Sequence, residues 1–182
     1  MALIIFITGK PGCGKTTLLK RLLPEIPHPV VGFFTEEIRE NKVRTGFRIH
    51  TLSGKSGILA DLSPGNPKIG KYRVYVEEFE SLILPELSTP ATSCIIDEIG
   101  KMELCSQKFR LLLPRLFQNF PLILATRALH LPRFIEQIFP PLSNVHTLSL
   151  TPANREKVFD YARLLLHSFM SNQTPEKSQN YN

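Results

Sequence analysis

The chain alternates between short runs of consecutive apolar residues and longer stretches in which apolar residues recur every three or four positions. A short apolar, β-branched run bounded by turn formers is the pattern of a strand buried on both faces. The three-to-four spacing is that of a helix packed along one side. Residues 3–8 predict such a strand, and a glycine-rich turn follows. Thr16–Leu23 predicts a helix, stopped by Pro24, Pro27 and Pro29, which have no N–H to give to a helix ladder. The next segment differs in character. Val30–Arg39 and Arg44–Leu52 are rich in Val, Ile, Phe and Thr and are joined by the polar Glu40-Asn41-Lys42-Val43, which predicts an antiparallel hairpin. After the turn Ser53–Gly57, Ile58–Asp61 predicts a third short strand.

Leu62–Lys71 contains Pro64, Gly65, Pro67 and Gly70 and reads as loop, and Tyr72–Val76 reads as a short strand. Glu77–Leu87 is helical in pattern, with Phe79, Leu82, Ile83 and Leu87 on one face and Pro85 disturbing its end. Thr92–Asp97 predicts a buried strand. Ser106–Asn119 predicts a helix with Phe109, Leu112, Leu113 and Leu116 in register and a kink at Pro114. Pro121–Thr126 (strand), Leu131–Phe139 (helix) and Val145–Leu150 (strand) follow. Thr151 as N-cap and Pro152 at the first helical position predict a last helix running to about Met170, and residues 171–182 are polar and expected to be disordered. Apart from the β-hairpin insertion, strands and helices alternate. That pattern predicts an α/β fold: one domain over residues 1–170, with a mostly parallel sheet flanked by helices.

The 182 residues carry a formal charge of +6, with 42% apolar and 21% charged residues, an ordinary balance for a globular protein. No apolar run reaches the roughly 20 residues needed to span a bilayer, and the apolar start lacks a basic flank, so no membrane role and a cytoplasmic location are expected. Cys13, Cys94 and Cys105 have no zinc-like spacing and fit a reducing compartment. The positive charge favours anionic partners, nucleotides first. The basic residues are scattered rather than clustered, so nucleic acid is allowed but not favoured.

The chemistry is concentrated in two places. Gly9-Lys10-Pro11-Gly12-Cys13-Gly14-Lys15-Thr16 matches G-x-x-x-x-G-K-[ST], directly after a predicted strand and before a predicted helix. Glycines let backbone N–H groups curl around phosphates, and the helix start turns its positive end toward them. Lys15 supplies an ammonium for the β- and γ-phosphates. The Thr16 hydroxyl is the expected Mg²⁺ ligand, and Thr17 lies toward the α-phosphate. Cys13 reads as a small filler, with redox sensitivity as the alternative. The second place is Cys94-Ile95-Ile96-Asp97-Glu98, an apolar strand ending in two carboxylates. Such a pair is ordinary alone. Coupled to a phosphate loop, Asp97 becomes the second Mg²⁺ ligand and Glu98 the general base that polarises the attacking water. Asp97 to Gly100 also fits the D-x-x-G of GTPases. However, Ala125-Thr126-Arg127-Ala128 stands where a guanine-reading N-K-x-D would be needed, which disfavours a guanine switch.

Together with Gly32-Phe33-Phe34-Thr35-Glu36-Glu37-Ile38-Arg39, Arg44-Thr45-Gly46-Phe47, Gly70-Lys71-Tyr72-Arg73-Val74, Asp97-Glu98-Ile99-Gly100-Lys101-Met102-Glu103-Leu104 and Thr151-Pro152-Ala153-Asn154-Arg155, these motifs resemble the THEP-type, or cancer-related, nucleoside-triphosphatase family over residues 3–160. The resemblance implies a RecA-like P-loop domain that hydrolyses ATP, GTP, CTP and UTP to the diphosphate and phosphate. It also implies two nucleotide-contacting stretches: Thr8 with Gly9, Lys10, Pro11, Gly12, Cys13, Gly14, Lys15 and Thr16, and Ile96, Asp97, Glu98, Ile99, Gly100, Lys101, Met102 and Glu103. Glu77, where the family tends to Asp, and Arg127 depart from its pattern.

Lys101 is a candidate for neutralising charge on the γ-phosphate, or a partner of Glu103. Arg39, Arg44 and Arg48 either close over the triphosphate or pair across strands with Glu36, Glu37 and Glu40. Asn154 and Arg155 are placed for a base or ribose contact, Arg155 by stacking, or else form a solvated first turn. The competing functions are a nucleotide or nucleoside kinase, a nucleic-acid-stimulated ATPase and a nucleotide sensor. One core accounts for all the apolar positions, so they carry no information on oligomeric state.

Overall fold

A computed structural model of the chain describes residues 2–129 and 144–172. In chain order it forms β1 (Leu3–Thr8), α1 (Lys15–Leu22), β2 (Val30–Glu40), β3 (Val43–Thr51), β4 (Ser56–Asp61), β5 (Lys68–Ile69), β6 (Tyr72–Val74), α2 (Val76–Leu87), β7 (Ser93–Ile99), α3 (Gln107–Asn119), β8 (Leu122–Arg127), β9 (Val145–Ser149) and α4 (Arg155–Ser171). The helix expected over Leu131–Phe139 and the end of the chain beyond 172 lie outside the described residues.

The described strands make one sheet in the order β5-β6-β4-β3-β2-β7-β8-β1-β9. β2, β7, β8, β1 and β9 run parallel to one another. β3, β4, β6 and β5 extend the sheet as an antiparallel wing beyond β2. This is the α/β P-loop arrangement expected from the alternating pattern, with the hairpin insertion enlarged into a four-stranded wing.

The parallel strands are apolar throughout because both of their faces are covered. On β1, Ile4 and Phe6 face a core built with Phe79, Ile83 and Leu87 of α2 and Phe109, Leu113 and Phe117 of α3. Leu3, Ile5 and Ile7 face a second core built with Leu18, Leu19 and Leu22 of α1 and Ala162, Leu166 and Phe169 of α4. The period-two alternation thus divides one strand between two layers of helix. Gly32 shows how tight this is: it has φ +138°, and a Cβ there would sit 1.9 Å from the Ile95 carbonyl oxygen. Only glycine lets β2 lie against β7 in that conformation.

Three local expectations are corrected. The loop read at Leu62–Lys71 contains β5, which pairs in antiparallel register with β6. The strand expected to end at Asp97 runs on to Ile99, with its register against β8 slipping between Ile96 and Ile99. The last helix starts at Arg155, with Asn154 as its N-cap, not at Pro152 after Thr151. The Asn154 side chain accepts from the Thr151 N–H at 2.7 Å and donates to the Ser149 carbonyl at 2.9 Å. The amide of Asn154 therefore folds the incoming chain into a turn before the helix begins. Pro85 and Pro114 both lie inside helices, α2 and α3. Among the described residues, no helix is long and apolar enough to cross a membrane.

Candidate active site

The two motifs meet at the C-terminal ends of the parallel strands. β1 delivers the phosphate loop, whose Gly14 takes φ +103° as the N-cap of α1, a left-handed conformation that costs glycine little. β7 delivers Asp97 and Glu98, joined by a cis peptide, with β8 between β7 and β1.

Lys15 heads α1 and is 9% exposed. Its Nζ donates to the Gly9 carbonyl at 3.2 Å and lies 3.8 Å from Glu98 Oε2. The Thr16 hydroxyl donates to Asp97 Oδ2 at 2.6 Å. The other Asp97 oxygen accepts a short hydrogen bond from the Thr126 hydroxyl. Asp97 is 1% exposed. Burial pushes its carboxyl above the usual range, opposed by the Thr126 and Thr16 hydroxyls, the Lys15 charge and the Thr35 backbone. Burial also raises Glu98, against the pull of Lys15, while the Asp97 charge adds to the rise. Glu103, buried in the turn after β7, is pushed up to about 8 by burial, reinforced by Glu98 and Asp97.

The donors around Asp97 fit a hard cation. A hydroxyl and a carboxylate oxygen, already side by side, are the oxygen ligands that Mg²⁺ takes in phosphate sites. An ion between them would also reverse the upward drift of the buried carboxyls.

Lys15, Thr16, Glu98, Gly100, Lys101, Met102 and Glu103 all border one cavity of about 340 Å³, with Pro11 and Gly12 at its lip. Lys101 is exposed at the rim. Ile96 and Ile99 are not brought into it: their side chains are fully buried in the α2/α3 core. Cys13 is buried in the α1/α4 core. Thr8 stands at the end of β1, where its carbonyl accepts from the Leu150 N–H at 2.7 Å. Thr17 is exposed, and Lys10 likewise. Arg155 lies on the other side of the loop, where its Nε donates to the Cys13 carbonyl at 2.8 Å and its guanidinium crowds Gly14. It tethers the loop at Cys13. Arg39 and Arg44 both pair with Glu37, Arg44 at 2.8 Å across the hairpin. The Arg127 guanidinium lies 5.7 Å from the centre of the Phe6 ring.

One residue that the motifs do not single out matters: the adjacency of β8 to β7 puts the Thr126 hydroxyl on Asp97. Glu103, a residue of the second stretch, is buried beside Glu98 and is part of the acidic end.

A family model described as NTPase matches residues 4–162. The nucleoside-triphosphatase THEP1 of Thermotoga maritima is 41% identical over 138 residues, 74% of this chain and 79% of that protein. Two solved structures share the fold. The crystal structure of THEP1 from the hyperthermophile Aquifex aeolicus superposes with a TM-score of 0.79 at 36% identity, covering 90% of this chain and 99% of that one. The solution structure of a human cancer-related nucleoside triphosphatase gives 0.76 at 34% identity, covering 92% and 98%. With the loop, the acidic strand end and the fold all in agreement, the chain belongs to the THEP1-type, or cancer-related, NTPase family.

Proposed function

We propose that the chain is a Mg²⁺-dependent nucleoside-triphosphatase that hydrolyses ATP, GTP, CTP and UTP to the diphosphate and phosphate. The observation that carries the reading is the placement of Glu98 on the open side of the phosphate loop, 3.8 Å from the Lys15 ammonium and beside the Thr16–Asp97 pair. The names of the relatives, all nucleoside-triphosphatases, support it.

In this reading the backbone N–H groups of residues 9–16 hold the phosphates. Lys15 turns from Glu98 to the β- and γ-phosphate oxygens. Thr16 and Asp97 hold Mg²⁺, which when bound neutralises charge on the β- and γ-phosphates. Glu98 accepts the proton of the attacking water. The water oxygen bonds to the γ-phosphorus as the bond to the β–γ bridging oxygen breaks, and the diphosphate leaves with that electron pair. Lys101, at the rim, screens the γ-phosphate oxygens as charge develops on them.

Broad base use is supported by the other end of the loop. Thr17 and Arg155 border it and both are exposed, and a guanidinium face stacks on any base. The test is phosphate release from each of the four triphosphates, with Mg²⁺ and with EDTA. Mg²⁺-dependent release from all four is expected. Release from one alone would refute the permissive pocket, and release in EDTA would refute the metal role of Thr16 and Asp97.

A further inference from the structure

Hydrolysis requires room for the γ-phosphate and, beside it, one water of about 30 Å³. The cavity, which takes in the γ-phosphate side of the loop as well as the space in front of Glu98, is about 340 Å³, within the range of sites for small organic ligands. Its far wall comes from the antiparallel wing and the turn after β7: Phe47 on β3, Leu59 on β4, Ile69 on β5, and Met102. Neither the phosphates nor water has a use for that apolar wall. The cavity also shares Arg44, Phe47, Ile69 and Met102 with a wider surface groove of about 710 Å³, which gives a second ligand a way in.

The nucleoside of the bound triphosphate does not account for this space. The cavity takes in Lys15, Thr16 and Glu98, the γ-phosphate side of the loop, and does not include Gly14, Thr17 or Arg155. The nucleoside leaves from that opposite side, so a ligand against Phe47 and Leu59 is a different molecule.

Charge narrows its class. Four carboxyl groups border the cavity, Glu36, Glu37, Glu98 and Glu103, the last keeping its proton below its value of about 8. Of the cations that border it, Arg44 is bound to Glu37 at 2.8 Å, and Lys15 and Lys101 serve the triphosphate in the reading above. An anionic guest such as a nucleoside monophosphate finds no cation left for its phosphate. An uncharged one with a flat, weakly polar body fits the partly buried Phe47 ring and the aliphatic wall.

We propose that this cavity is a phosphoryl-acceptor site for an uncharged alcohol with a flat aromatic body, the chemistry of a nucleoside, whose hydroxyl takes the place of water at Glu98. The inference rests on the reading of the loop and Glu98 given above. The acceptor hydroxyl oxygen bonds to the γ-phosphorus, and the bond from that phosphorus to the β–γ bridging oxygen breaks. The nucleoside diphosphate keeps the electron pair, and the hydroxyl proton passes to Glu98. The products are a phosphate monoester and the diphosphate.

The experiment incubates the full chain with Mg-ATP, alone and with each common ribonucleoside and deoxyribonucleoside. Released phosphate and nucleoside monophosphate are measured separately. The expected result is monophosphate from at least one nucleoside, with phosphate release falling in parallel. Phe47→Ala should raise the nucleoside KM about tenfold, the loss of one aromatic contact, with phosphate release in ATP alone unchanged. Ile69→Glu, a substitution on the two-residue β5 at the sheet edge, should reduce transfer in the same way and guards against misfolding of the Phe47 variant. Normal phosphate release with no monophosphate from any nucleoside would overturn the acceptor site while leaving the hydrolase. Absence of both products would overturn both readings. Transfer undiminished in both variants would place the acceptor elsewhere and overturn the assignment.

Discussion

Replacing Thr126 with valine removes one hydroxyl and almost no volume, from a side chain that is fully buried. That hydroxyl donates to Asp97, which is itself 1% exposed, so water cannot take its place. A hydrogen bond to a charged group contributes about 1.5–3 kcal/mol. Without metal, Asp97 has a way to escape that loss: burial already pushes it toward the protonated form, and losing the Thr126 donor pushes it further. With Mg²⁺ bound it has none, because the ligand must be a carboxylate. The loss should therefore fall mainly on Mg²⁺ affinity, a rise of about 10- to 100-fold in the Mg²⁺ needed for half-maximal turnover. The assay is phosphate release against free Mg²⁺ at fixed saturating ATP, with Thr126→Ser as a rescue that keeps the donor. A melt in EDTA completes it: the variant's deficit should grow as the pH rises, since the ionised Asp97 is the form that lacks its partner. Half-saturation within twofold of the wild type would refute the claim that Thr126 holds Asp97 for the metal.

Arg155→Ala should raise the KM for all four triphosphates by a similar factor of about 3- to 10-fold, the cost of one hydrogen bond to the Cys13 carbonyl. A rise confined to purines would make Arg155 a base reader instead, and no rise would remove it from the site. Glu103 should give the apo protein a pH-dependent stability that Glu103→Gln lacks. Its folded value of about 8 lies above the ordinary 4.5, so between those values the native state holds a proton that the unfolded chain has lost. Stability from this group is full below about pH 4.5 and is lost as pH rises to about 8, by at most about 5 kcal/mol. Urea unfolding in EDTA at pH 5, 6.5 and 8 checks it, and parallel losses in both proteins would contradict the burial argument.

The phosphate loop was legible in the sequence because its chemistry fixes residue types at fixed spacing: glycines where N–H groups must converge, then Lys15 and Thr16. The parallel strands were legible because burial on both faces leaves only apolar residues. What the sequence did not carry was adjacency. Thr126 acts on a residue 29 positions away, and nothing local distinguishes its hydroxyl from any strand threonine until β8 is known to lie beside β7. The four-stranded wing was undercounted for a related reason. β5 is two residues long amid Pro64, Gly65, Pro67 and Gly70, and only its pairing with β6 makes it a strand. At the last helix, Thr151-Pro152 presents a good start signal, and Asn154 prevails because its amide bonds both the Thr151 N–H and the Ser149 carbonyl. Arg155 reads from the sequence as a base or ribose contact or as part of a solvated first turn. The fold also ties its Nε to the Cys13 carbonyl, a contact across 142 positions that no spacing rule contains.

The central claim is that Glu98 is the base for attack on a triphosphate held by the loop. Its most direct test is Glu98→Gln, with Mg-ATP binding and single-turnover hydrolysis measured on the same preparation. The account predicts binding within a few-fold of the wild type and hydrolysis slowed by about 10²-fold or more, the usual range for a general base. Equal loss of binding and turnover, or turnover at the wild-type rate, would contradict it.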